Sequence, residues 1–129
     1  MKTSLTILTI ILICMACKKN NDKLSSVDGI WTEASKQKDT LYFESQTSFV
    51  DLRRGKELRN GYLLPKISAG LYSYEIKKDS ISLQFLLSSL YKPSNYKFNI
   101  DLNKGKITIG NFYVDSLNRN TTLTFIKAR

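Results

Sequence analysis

A chain of 129 residues without a single histidine has few routes to covalent or acid–base chemistry. Histidine is the usual base near neutral pH and a common metal ligand, and the two thiols, Cys14 and Cys17, both stand near the N-terminus. Carboxylates remain at Glu33, Glu44, Asp51, Glu57, Glu75 and Asp101, but no two are close in sequence. Most fall on the polar side of alternating segments, where they solvate a surface; general acid–base work needs a group within reach of the proton it moves. A pair assembled by the fold stays open. The glycines are isolated, so no glycine-rich loop is available to cradle a phosphate. These residue types point away from an enzyme and imply neither metal nor cofactor.

Cys17 is the exception, because its neighbours specify a reaction at its thiol. Met1 to Ser4 is a short start made positive by Lys2, Leu5 to Met15 is apolar, and Ala16 is the small residue a signal peptidase needs before its cut. The run falls short of the roughly 18 to 20 apolar residues of a membrane span. It has only Thr6 and Thr9 where an amphipathic helix would carry a polar face. A plain secretory signal would leave Cys17 as a lone exposed thiol in an oxidising compartment. Cleavage before Cys17 and acylation of its sulfur accounts for the whole pattern. Cys14-Met15-Ala16-Cys17 resembles the relaxed lipobox of Bacteroidota lipoproteins, differing from the familiar Leu-small-small-Cys box at its outer two positions. The resemblance implies two or three palmitate-like chains, and at about 0.8 kcal/mol per buried methylene such an anchor is permanent. Lys18 stands where an acidic residue would resemble an inner-membrane retention signal, so the outer membrane is the expected address.

The expected organisation is therefore a signal peptide at 1–16, removed; a lipidated Cys17 and polar linker over 17–27; and a body over 28–129. The formal charge is +9, from 20 basic and 11 acidic residues, and losing Lys2 with the signal leaves 19 against 11, or +8. Export removes nucleic acid as a partner. A body this basic is drawn to anionic membrane or glycan, but Lys36, Lys56, Lys66, Lys77, Lys92, Lys104 and Lys127 are dispersed and read as solubility charge. With Cys14 removed and Cys17 acylated, no disulfide holds the body.

The elements that must position anything here are strands. Tyr72, Tyr74 and Ile76 alternate with Ser73, Glu75 and Lys77, and Ile81, Leu83 and Phe85 alternate with Ser80, Ser82 and Gln84. The same period returns at Tyr96, Phe98, Ile100 and Leu102, at Ile107 and Ile109, and at Leu123 and Phe125. Only Phe85 to Leu90 could form a turn of helix. Turn signals at 77–80, 103–106 and 118–120 separate the strands, and Asn60-Gly61 is the strongest, suited to a type I′ hairpin. About eight strands joined by short loops must cover their edges or close on themselves. The expected fold is all-β, a small antiparallel up-and-down barrel; a two-sheet sandwich is the alternative. Its interior would be lined by Tyr72, Tyr74, Leu83, Phe85, Phe98, Ile100 and Phe125, the candidate ligand-contacting residues.

Gly29-Ile30-Trp31 resembles the Gly-x-Trp opening of lipocalins, and the runs Gly70 to Ile76, Asp79 to Leu83 and Leu123 to Lys127 are similar to small lipocalin-like lipoproteins of Bacteroidota. The resemblance covers about residues 28 to 128. It implies that Gly29 and Trp31 plug one barrel end, with Lys127 or Arg129 covering the ring. The Thr-Asp-Tyr turn of the second lipocalin motif has no counterpart. Asp39-Thr40-Leu41, Asp79-Ser80-Ile81 and Asp115-Ser116-Leu117 resemble Bacteroidota O-glycan acceptors, making Thr40, Ser80 and Ser116 candidate glycosylation sites; the same triplets also suit any hairpin entry. Two functions follow. A hollow barrel would hold a small hydrophobic or amphipathic ligand. A packed barrel would dock another envelope protein, with Ser88 to Asn95 offering Leu90 and Tyr91 as contacts.

Overall fold

Period-two alternation becomes the inside and outside of a closed cylinder. The computed structural model describes residues 27–35, 38–89, 92–113 and 121–128. Cys17, Leu90, Tyr91, Ser116, the turn signal at 118–120 and Arg129 lie outside them. The strands are β1 (Gly29–Glu33), β2 (Thr40–Glu44), β3 (Phe49–Arg53), β4 (Lys56–Arg59), β5 (Tyr62–Pro65), β6 (Gly70–Ile76), β7 (Ser80–Phe85), β8 (Ser94–Asp101), β9 (Lys106–Gly110) and β10 (Thr122–Lys127). Eight of them form a barrel in the order β1-β2-β3-β6-β7-β8-β9-β10, every pair antiparallel, with β10 closing onto β1. Closure leaves no free barrel edge, which is how an antiparallel meander satisfies its backbone without covering helices. It also sets the two-sheet sandwich aside.

Register follows the apolar face, because a slip of one residue would turn every inward side chain outward. Trp31 lies opposite Leu41, Tyr74 opposite Leu83, and Phe98 opposite Ile109, all inward. These residues join Phe43, Val50, Leu52, Ile81, Ile107 and Phe125 in one buried core. Trp31 and Phe125 are fully buried. The middle of the barrel is packed with side chains, as a small eight-stranded barrel permits.

Up-and-down connectivity gives the barrel two unlike ends. At the closed end the chain enters at the fully buried Val27, the Asp28 carboxylate accepts from the backbone N–H and the hydroxyl of Ser45, and the Lys127 N–H donates to Gly105. At the open end β1 leads to β2, β3 to β6, β7 to β8 and β9 to β10.

The strongest turn signal holds although its strands stay apart from the barrel, and two further expectations need correction. The Asn60-Gly61 turn forms, with φ of 53° and 83° as a type I′ hairpin requires, but β4 and β5 pair only with each other in a separate two-stranded ribbon. Neither strand alternates as a barrel strand must, and Pro65 has no N–H to give a further neighbour. Leu102 leaves the inward row and is exposed, because it lies in the β8–β9 turn beyond the last rung. Leu86 and Leu87 form a turn, and among the described residues there is no helix.

Candidate functional site

The open mouth is built from aromatic rings. Three strands deliver inward side chains to it: Tyr72 from β6, Leu83 and Phe85 from β7, and Ser94 and Tyr96 from β8. The loop after β9 adds Asn111, Phe112 and Tyr113, and the segment before β6 adds Ile67 and Ser68. Together with Lys92 they line an open cup of about 280 Å³. Phe112, only 2% exposed, is the hub: its ring meets Tyr72 at 5.4 Å, Tyr96 at 5.3 Å and Tyr113 at 5.0 Å between centroids, all edge-to-face. Tyr72 also packs on Phe85 at 5.0 Å and donates its hydroxyl to the Ser68 carbonyl at 2.7 Å. Edge-to-face contacts hold such rings in fixed orientations, so the cup is preformed.

A polar cluster forms one side of the mouth. Arg54 lies over the Tyr113 ring at 4.5 Å, pairs with Asp39 at 3.3 Å and donates to the Ile67 carbonyl. Glu33 continues the inward row of Trp31 and is buried, a departure from the expected polar-side placement; its carboxylate accepts from the Ser35 N–H at 3.0 Å and the Ser35 hydroxyl at 2.6 Å. The Tyr113 hydroxyl is buried and faces Asp39 without reaching hydrogen-bond geometry. Burial first, and then the Asp39 charge, push its pKa far above the ordinary value, with Arg54 opposing and Glu33 adding. The backbone of Tyr113 sits at φ 47°, a left-handed conformation rare for an aromatic residue, and its ring is held there between Phe112 and Arg54. The fold thus brings Glu33 and Asp39 to one tyrosine, a pairing the sequence spacing left open.

The seven expected lining residues divide by depth. Tyr72, Leu83 and Phe85 reach the cup. Tyr74 and Phe125 fill the barrel, and Phe98 and Ile100 border a smaller depression of about 140 Å³ at the closed end, beside Val27 and Lys78. Tyr96 was legible from the alternation it shares with Phe98. Phe112, Tyr113 and Arg54 carried no periodic signal.

At the other end Trp31 donates its ring N–H to the Val27 carbonyl at 2.7 Å, and the Lys127 ammonium lies 5.4 Å from its ring centre. Gly29, half-buried at φ 107°, begins the strand two residues earlier. Thr40 and Ser80 open β2 and β7 and are half-buried. Among the described residues no three His, Cys, Asp or Glu side chains converge as a metal site would require.

Fold and site together define an eight-stranded up-and-down barrel with a packed middle and an aromatic cup at one mouth. Compared with known protein families, with curated proteins and with solved structures, the chain finds no match.

Proposed function

We propose that this protein is a lipocalin-like binding protein, held on the outer membrane by acyl chains on Cys17, whose open cup takes one small hydrophobic or amphipathic molecule. The observation that carries the reading is the preformed cup of about 280 Å³ walled by Tyr72, Phe85, Tyr96, Phe112 and Tyr113. Its size lies just under the usual range of ligand pockets, about 300–1,000 Å³, so the ligand is no larger than a few fused rings or a short chain. Apolar ring faces supply contact area, and Lys92 and Asn111 at the cup supply polar handles that favour an acidic or hydroxylated end group. The pairing of Trp31 with Lys127 supports the lipocalin resemblance, since a buried ring under a basic side chain is what that resemblance implies. Native mass spectrometry of protein from its own host tests the reading: a retained small molecule is expected, and Ser94→Phe, which fills the cup from an exposed position, should release it. Protein that carries no molecule and binds no apolar dye would end it.

The packed middle favours a second reading, a scaffold that docks another envelope protein, because among the described residues every barrel strand sends buried apolar side chains into the interior. Crosslinking in the envelope separates the two: a docking module yields one partner whose recovery Ser94→Phe leaves unchanged.

A further inference from the structure

The ribbon β4–β5 belongs to neither the barrel nor the cup. Its strands contact chiefly each other, so it stands away from the barrel at the open end. One face is bare, and the other carries an exposed tyrosine among the half-buried Glu57 and Arg59. Leu58 and Leu63 form one rung on one face, exposed at 75% and 63%; Tyr62, exposed at 71%, lies on the other face beside Arg59. At its base the polar contact of Arg54 with the Ile67 carbonyl and the Lys66 N–H to Gly55 fix the exit and return of the chain. Exposed apolar side chains clustered this densely mark a surface that something covers.

The charges around the ribbon say what. Residues 53–66 hold five basic side chains, Arg53, Arg54, Lys56, Arg59 and Lys66, against Glu57 alone. Lys56 and Lys66 sit at the base and form no ion pair among the described residues, while Leu58, Tyr62 and Leu63 lie nearer the turn. Behind the Asn60-Gly61 turn, Tyr62 opposite Arg59 and then Leu58 opposite Leu63 form an aromatic and apolar band, and the cationic base lies beyond it; an aromatic-apolar band next to cations is the pairing that a bilayer interface and its phosphates accept. A protein groove would cover one face of a ribbon, whereas shallow insertion covers both. The two-stranded ribbon has unpaired backbone edges, which limits it to the interfacial depth where water and headgroups still reach them, and Arg59 can extend its charge back to the phosphates.

We propose that the β4–β5 hairpin is a docking element for an anionic phospholipid surface. It is separate from the Cys17 anchor and independent of what the cup binds, and it turns the open mouth towards the bilayer. The test uses the full chain with Tyr62→Trp; the parent chain, whose only tryptophan is the fully buried Trp31, gives the background. Because the readout sits at position 62, attachment through the N-terminus does not produce it. On vesicles of phosphatidylglycerol mixed with phosphatidylcholine, emission from position 62 should move to the blue and be quenched by brominated acyl chains. Adding Leu58→Asp and Leu63→Asp should abolish both effects, and Lys56→Glu with Lys66→Glu should reduce them to the level on phosphatidylcholine alone. Three results would overturn the proposal: no change on anionic vesicles; an equal change on neutral ones; or blue emission without lipid at a dimer's mass, which would give the hairpin to a second copy of the chain.

Discussion

Tyr74→Phe should make this protein more stable, although it removes a polar group from the core. The Tyr74 ring is 5% exposed and packs edge-on against Phe43 at 5.1 Å, contacts that phenylalanine keeps. Its hydroxyl finds no hydrogen-bond partner. A buried polar group without a partner costs about 1–3 kcal/mol. Deleting one oxygen leaves a void of about 10–15 Å³, worth about 0.3 kcal/mol at roughly 24 cal/mol per Å³. The net gain is about 1–2 kcal/mol, and at about 4–8 °C per kcal/mol for a domain of this size the melting temperature should rise by at least about 4 °C. The pH dependence supplies a second, independent sign. Burial first, and the Asp28 charge second, raise the Tyr74 pKa from 10.0 to about 12. A folded-state pKa above the unfolded value means that the neutral hydroxyl's contribution is complete below pH 10 and is lost as pH rises through 12. The parent chain should therefore lose stability faster than Tyr74→Phe between pH 10 and 12, while Tyr113 acts equally in both and cancels. Denaturant titrations of the two proteins at neutral pH and across that window decide it. A variant less stable by 1 kcal/mol, or a difference that does not widen above pH 10, would refute the reasoning.

Trp31→Ala empties a fully buried site and orphans the Val27 carbonyl, so it should cost about 3–5 kcal/mol in a denaturant melt; a loss under 1 kcal/mol would remove the closed-end plug. Gly70→Ala places a Cβ 2.9 Å from the Phe85 ring at a backbone φ of 138°, which should cost about 1–3 kcal/mol and weaken apolar-dye binding by displacing a wall of the cup. Cys17→Ser should move the protein from the membrane to the soluble fraction on carbonate washing; retention in the membrane would contradict acylation at that residue.

How much of this was legible follows from what period two can and cannot say. It fixes a side for each residue once neighbours agree, which is why Tyr72 with Tyr74, Ile81 with Leu83, and Ile107 with Ile109 were legible as inward residues. It does not say how deep along the axis a residue lies. Seven inward residues could therefore be named, but not that only Tyr72, Leu83 and Phe85 among them reach the cup. Glu33 shows the opposite failure: its position in the row decides its side, and its type suggested solvent, until Ser35 two residues on supplies the hydrogen bonds that let a carboxylate stay inside. Asn60-Gly61 marks a hairpin by local backbone chemistry, and local chemistry is silent on whether the paired strands join the barrel. The clue lay in Tyr62-Leu63-Leu64-Pro65, which does not alternate and is closed by a residue without an N–H, so it offers a barrel neither one buried face nor a full ladder of donors. Phe112 and Tyr113 come just after the last rung of β9, where chain direction is set by the left-handed backbone at Asn111 and Tyr113 and by contacts with Arg54 from a distant loop. The regular rows build a filled barrel that has little left to bind with. The recognition proposed here, of a small molecule at the mouth and of a lipid surface at the hairpin, would fall to the irregular segments of the open end, and these are the parts a periodic reading resolves least.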